Sequence, residues 1–382
     1  MANRIILNAV SYHGKGAIQH IVPEVKQHGY KKAFICTDPG LVEHKVINKI
    51  TDLMDEAELA YEIYSNVQPN PTVENVQSGV EAFKASGADY IIAVGGGSSM
   101  DTAKGIGIII ANPEFADVVS LEGMAPTKNP TVPLYTVPTT AGTGSEVTAY
   151  YVITDTARGR KFVCVDANAM SCVAIIDPDM MMSMPKGLTA ATGMDALTHA
   201  IEGLITKAAW DMSDMLHIKA IELISKHLRG AVNNTEEGRE GMALAQYLAG
   251  MGFSNVGLGL VHGMAHPLGA TYNTPHGVAN AIILPTVMKY NADYSGEKYR
   301  EIARAFGVAD VDKMHQEQYR QAAIDCVVQL SKDVGIPQSL HGIAKEEDLD
   351  LLAESAFADV CTSGNPRETS VYEIRELYKS LL

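Results

Sequence analysis

The chain has 382 residues, 46% of them apolar and 20% charged, with a formal net charge of −15 at neutral pH. That profile fits a globular protein of two or three domains with an ample core. It argues against nucleic acid or an anionic membrane as partner, because both select basic patches. Five scattered cysteines without a C-x-x-C pair give neither a disulfide framework nor a thiolate zinc site. No apolar stretch reaches the ~18 residues of a membrane span, and the first residues lack a cleavable leader pattern. A cytoplasmic protein is expected.

KKAFICTD (31–38) reads as a buried strand and LVEHKVINKITDLMDEAEL (41–59) as one helix, with apolar residues three and four apart. AYEIYSNV (60–67) is a second strand, and PTVENVQSGVEAFKASG (71–87) a second helix opened by Pro71. ADYIIAV (88–94) runs as a strand into three glycines, and MDTAKGIGIIIAN (100–112) follows as a helix. PLYTVPTT (133–140), YYVITD (150–155), KFVCVD (161–166) and CVAIIDP (172–178) are further extended runs. Such alternation is the pattern of a parallel sheet covered by helices. After Met184 the residues are mainly Ala, Leu, Met and Ile at helical spacing. The expected fold class is therefore α/β plus all-α: a parallel-sheet domain over 1–184 and an all-helical domain over 185–382.

Two loops invite an anion. Gly95, Gly96, Gly97 and Ser98 lie between a strand and a helix start, where glycine permits close approach and unpaired N–H groups point outward. The G-x-G-x-x-G fingerprint is absent, so a plain tight turn is the competing reading. PTTAGTGSE (138–146) places Thr139, Thr140, Thr143 and Ser145 around two glycines, again after a strand. Two such loops at the carboxyl ends of strands fit the crevice where open α/β sheets bind ligands. Asp38 closes another strand; it suits a ribose diol and NAD over NADP, or it simply caps the next helix.

Histidines carry the second signal. Three of the chain's 12, His262, His266 and His276, fall within residues 262–277. Asp195 and His199 stand four apart on a strongly apolar helical run, so they share one face. Spacing alone pairs His262 with His266 and leaves His276 ambiguous. A donor set of N and O without thiolate suits Fe²⁺, Zn²⁺ or Co²⁺ rather than Ca²⁺ or Mg²⁺.

GGGSSMD, PTTAGTGSE, GMDALTHAIE and GLVHGMAHPLGATYNTPHGVANA, with Asn70-Pro71-Thr72 and Asn365-Pro366-Arg367, together resemble the iron-dependent alcohol dehydrogenase family. The likeness runs over essentially the whole chain. It implies a dinucleotide domain joined to a helical one, with the site in a cleft between them. It also implies NAD and Fe²⁺ as cofactors, Zn²⁺ being the other candidate, and a homodimer formed partly through an N-terminal strand, RIILN (4–8). Asp195, His199, His262 and His276 would hold the metal, with His266 beside it as a proton relay. Asp38 would face the adenosine ribose, Gly96, Gly97 and Ser98 the pyrophosphate, and Thr139, Thr140 and Thr143 the same channel. Asn70 and Lys161 match positions that contact the cofactor.

The implied reaction interconverts a small aldehyde and alcohol, lactaldehyde and 1,2-propanediol first, with 1,3-propanediol or butanol as alternatives. Phe253 and Leu258 would line the substrate pocket or merely pack between helices. Two departures stand out within the branch most resembled: Ser99-Met100 replaces Pro-Gln, and Tyr150 replaces a smaller Asn near the nicotinamide end. Of the rival classes, a dehydroquinate-synthase type of lyase needs converging Lys and Arg, which the segments around these histidines lack. The other is a non-catalytic binder of NAD and metal.

Overall fold

The computed structural model describes residues 2–382, and the chain divides into two compact units, 1–140 with 144–184, and 141–143 with 185–382. In the first unit the elements are β1 (Val10–His13), α1 (Ile21–His28), β2 (Lys32–Cys36), α2 (Pro39–Glu43), α3 (Asn48–Glu56), β3 (Ala60–Tyr64), α4 (Val73–Ser86), β4 (Tyr90–Gly95), α5 (Gly97–Ala111), β5 (Leu134–Pro138), β6 (Tyr150–Asp155), β7 (Arg160–Val165) and β8 (Val173–Ile176). Six strands form one parallel sheet in the order β1-β8-β5-β4-β2-β3. Alternate residues feed two cores: Phe34, Cys36, Ile91 and Ala93 on one face, and Ala33, Ile35, Ile92 and Val94 on the other. A sheet buried on both faces explains why these strands read as continuous apolar runs.

The order of strands fixes where a ligand fits. From β2 the chain moves outward to β3, then returns to the other side of β2 with β4 and continues through β5. The strand order therefore reverses between β2 and β4, and the crevice at their carboxyl ends is the ligand position in open α/β sheets.

Two expectations need correction. The helix expected over 41–59 is two, α2 and α3, separated at Lys45 with φ 57°. The left-handed residue ends α2 in a closing turn, where the Val46 N–H returns to the Leu41 carbonyl at 2.9 Å, and Val46 and Ile47 are buried just beyond it. β6 and β7 leave the parallel sheet and form a separate antiparallel pair, with buried residues alternating along β6. RIILN, expected as a strand made with a second copy, has no ladder partner within this single chain, where among the described residues the first strand begins at Val10.

The second unit contains only helices among its described elements: α6 (Lys186–Ile205), α7 (Asp211–Val232), α8 (Glu236–Val256), α9 (Leu260–Tyr272), α10 (His276–Asn291), α11 (Lys298–Ala305), α12 (Gln316–Asp333), α13 (Leu349–Ala358) and α14 (Val371–Lys379), with short 3₁₀ turns between. α6 is buried almost all round from Thr189 to Ile205, so it is the central helix that others cover. None of the described helices is long and apolar enough to cross a membrane.

Candidate metal centre and cofactor loops

α6 presents Asp195, His199 and Glu202 on one face by their 4- and 3-residue steps. α9 carries His262 and, one turn on, His266. It ends at Asn273, whose left-handed φ of 53° turns the chain so sharply that α10 starts at His276. Two consecutive helices thus bring His262 and His276 together, resolving what spacing left open.

Asp195, His262 and His276 offer ligand atoms within 4.8 Å of one another. Asp195 Oδ1 lies 3.8 Å from His262 Nε2 and 3.6 Å from His276 Nε2. Atoms bound tetrahedrally to one ion at ~2.1 Å stand roughly 3.4 Å apart, so the set fits a divalent ion with little movement. The Asn280 amide donates to Asp195 at 2.7 Å, and the same nitrogen lies 3.2 Å from His262 Nε2 and 3.1 Å from His276 Nε2, three acceptors around two hydrogens, while its own Oδ1 has no partner. Three lone pairs converging on one donor is an arrangement a cation satisfies better than an amide.

His199 lies beside this group without joining it. Its ring stacks on that of His262 at 4.6 Å, and its Nδ1 is 3.3 Å from the Gly142 carbonyl. Gly142 and Thr143 therefore pack with the helical unit, although their loop begins at the end of β5. Burial holds both His199 and His262 below the ordinary imidazole range, and neutral imidazole is the form that binds metal. His266 stacks on His276, ring centres 5.3 Å apart, and its Nδ1 is 2.8 Å from Asp359 Oδ2. Phe253 stacks on His199 at 4.3 Å. Leu258 is buried, and its carbonyl accepts from the Thr206 hydroxyl.

Glu202 is a residue the sequence reading missed. It is 2% exposed; Oε2 sits 2.5 Å from His262 Nδ1, and Oε1 accepts the Val261 N–H at 2.6 Å. Burial pushes its carboxyl up, against which the backbone N–H groups of Val261, His262 and Gly259 stabilise the carboxylate. A carboxylate on the far nitrogen of a ligating histidine fixes the ring's tautomer and aim. The signal was its place one turn beyond His199 in a helix otherwise apolar.

In the first unit the candidate cofactor residues gather at one end of the sheet. β2 and β4 pair Cys36 with Ala93, so Asp38 and Gly95 lie level beyond them; β4 and β5 pair Gly95 with Pro138, which sets Thr139 and Thr140 beside Gly96. Gly95 has φ 151°, and a Cβ on it would lie 2.3 Å from the Ser99 hydroxyl; one on Gly96 would press Thr140 at 3.2 Å. Gly96 caps α5 without a side chain, which leaves the N–H groups of Gly97 and Ser98 in the helix's first turn. Asp38 accepts the Leu41 N–H at 3.0 Å, so it does cap α2, with a second oxygen available to a ribose. Asn70 adopts φ 56° and accepts from Lys161 Nζ at 2.7 Å; burial lowers that lysine to about 8.

Asp101 and Lys104 were also missed. Lys104 is wholly buried and donates to the Ser145 hydroxyl and the Thr148 and Tyr150 carbonyls, at 2.9, 2.9 and 2.7 Å. Ser145 in turn donates to Asp101 at 2.7 Å. The pair ties the start of α5 to the segment leading into Tyr150. Two charges three apart in the apolar run MDTAKGIGIII were the available signal.

The comparisons with known proteins bear on both regions. The "Iron-containing alcohol dehydrogenase" model matches residues 9–178, and the "Fe-containing alcohol dehydrogenase family, C-terminal" model matches 189–382. The chain belongs to the iron-containing alcohol dehydrogenase family. It is 59% identical over 379 residues to lactaldehyde reductase of Escherichia coli K12, covering 99% of each chain. It is 41% identical over 372 residues to an NAD-dependent methanol dehydrogenase of Bacillus methanolicus, covering 97% of each. The crystal structure of a 1,3-propanediol oxidoreductase superposes with a TM-score of 0.97 at 39% identity, covering 100% of both. As a member of this family the chain is an oxidoreductase of the alcohol dehydrogenase class.

Proposed function

We propose that the protein interconverts lactaldehyde and 1,2-propanediol with NAD(H) and a bound Fe²⁺. The carrying observation is the convergence of Asp195, His262 and His276 on one point, in a chain 59% identical to a lactaldehyde reductase. Asp195, His199, His262 and His276 would hold the ion. Its borderline N and O donors also accept Zn²⁺, so iron rests on the family.

A divalent ion there supplies Lewis-acid polarisation of a carbonyl oxygen, and the nicotinamide supplies hydride. The protein's share is positioning and proton handling. Glu202 keeps His262 Nδ1 protonated and its Nε2 free for coordination. Phe253 covers His199 and excludes water from that side. Asp359 holds the His266 proton on Nδ1, which leaves Nε2 as the port that receives or releases the alcohol proton. Gly96, Gly97 and Ser98 would receive the pyrophosphate at the start of α5, with Thr139, Thr140 and Thr143 along the channel. Asp38 would take the ribose and disfavour NADP, and Asn70 with Lys161 would meet the cofactor further along. Leu258 would line the pocket with Phe253.

We also propose a homodimer in the cytoplasm. β1 is an edge strand, and residues 4–8 before it are exposed or half-buried in the isolated chain, the kind of edge that a second copy covers. Five free cysteines suit a reducing compartment.

Tyr150 keeps a second reading open, the 1,3-propanediol or butanol type: a phenol where the resemblance implies a smaller Asn would narrow the pocket or add a hydrogen bond to substrate. Comparing kcat/KM on lactaldehyde, 3-hydroxypropanal and butanal decides. The first reading expects lactaldehyde to lead; a tenfold lead by either unbranched aldehyde would transfer the assignment.

A further inference from the structure

We propose that His266, Asp359 and Cys361 form a second cation site, chemically distinct from the first, that takes Zn²⁺ and inhibits the enzyme. A ring nitrogen of His266, a carboxylate oxygen of Asp359 and Cys361 Sγ lie within 4.8 Å of one another. They come from α9 and from the turn that follows α13, about a hundred residues apart, so no local spacing announces them. His266 Nδ1 is already 2.8 Å from Asp359 Oδ2, and Asp359 Oδ1 accepts the Cys361 N–H at 2.9 Å. The carboxylate is thus held by both of its would-be co-ligands.

The donor types select the ion. One N, one O and one S with a position left for water is a zinc set, whereas the first group holds no sulfur. Electrostatics favours a cation too. The Cys361 thiol is held protonated by burial and by the neighbouring Asp359 and Glu202 carboxylates, and those same carboxylates attract a divalent ion. With both sites filled, Asp195, Glu202, Asp359 and the Cys361 thiolate balance two divalent ions. On binding, the thiol proton leaves to solvent, and the His266 proton moves from Nδ1 to Nε2. His266 then has no free nitrogen for substrate chemistry, which is how the ion would inhibit; that consequence rests on the proton role proposed above, while binding itself does not.

The test titrates chelator-treated full-length protein with CoCl₂ and follows the near-ultraviolet thiolate-to-cobalt absorption alongside metal stoichiometry. Two equivalents are expected, only one of them raising the thiolate band. Cys361→Ser should abolish the band and leave one equivalent, and Asp359→Asn should weaken it at least tenfold, with far-ultraviolet circular dichroism unchanged. His199→Asn should weaken the sulfur-free site and keep the band. ZnCl₂ added to the Fe²⁺-loaded enzyme should inhibit the unmodified chain at concentrations at least tenfold below those needed for Cys361→Ser. A titration ending at one equivalent without a thiolate band overturns the proposal, as does a band that survives Cys361→Ser or vanishes in His199→Asn. Cobalt binding is read without turnover, so failure of this site stays distinguishable from failure of the proposed aldehyde chemistry.

Discussion

The helical unit and the crevice end of the sheet build their sites from different materials. The first uses side chains: a carboxylate and imidazoles on α6, α9 and α10, with Glu202 behind them. The second uses mostly backbone: Gly95, Gly96 and Gly97 at a helix start, beside threonines from the next strand's end. Metal needs fixed lone pairs of defined type, which rigid helices hold, whereas a pyrophosphate needs N–H groups and room. The two sites should therefore respond independently to substitution, and experiment can break that separation.

The largest effect is expected from His262→Ala. Metal affinity and turnover should each fall roughly a thousandfold or more, while NADH affinity, followed by fluorescence, stays within a factor of two or so of the parent. An NADH affinity that collapsed as well would mean the two regions act as one. Glu202→Gln comes next: outer partners of metal ligands are typically worth about 10- to 100-fold in metal affinity, measured by chelator competition, again with NADH binding unchanged. Asp38→Ala reverses the pattern. It should raise the NADH KM about tenfold and improve use of NADPH, with metal content intact.

The smallest effect sharpens the contrast from the stability side. His217 on α7 is fully buried with neither ring nitrogen partnered among the described residues, and burial holds it down to about 3. An unfolded chain's histidine takes up its proton near pH ~6.5. The unfolded state therefore gains a proton first as pH falls, and stability is lost progressively from about 6.5 down to about 3. In His217→Gln the slope of unfolding free energy against pH over that window should shrink by about one proton, whatever the offset at neutral pH. An unchanged slope would assign the acid sensitivity to other groups.

The metal donors were legible because histidine is scarce and its clustering survives without knowing the fold. Which histidines would meet was not, since His276 depends on the left-handed turn at Asn273 that starts α10. The cofactor loops were visible as glycine and hydroxyl clusters, yet their convergence follows from the strand order, which pairing decides and no single segment encodes. Glu202, Asp101, Lys104 and Asp359 escaped because each acts through a partner at least 40 residues away. A lone charge in an apolar helix shows that some partner exists, without naming it. The Lys45 break was hidden too, because apolar residues on either side keep helical spacing across it.

The central claim is that the Asp195–His262–His276 group serves turnover through a bound ion. Chelator-stripped protein, reloaded anaerobically with Fe²⁺ and assayed for NADH oxidation with lactaldehyde, tests it most directly. The account predicts no turnover after stripping and recovery on adding Fe²⁺. Turnover that survives complete removal of metal would contradict it.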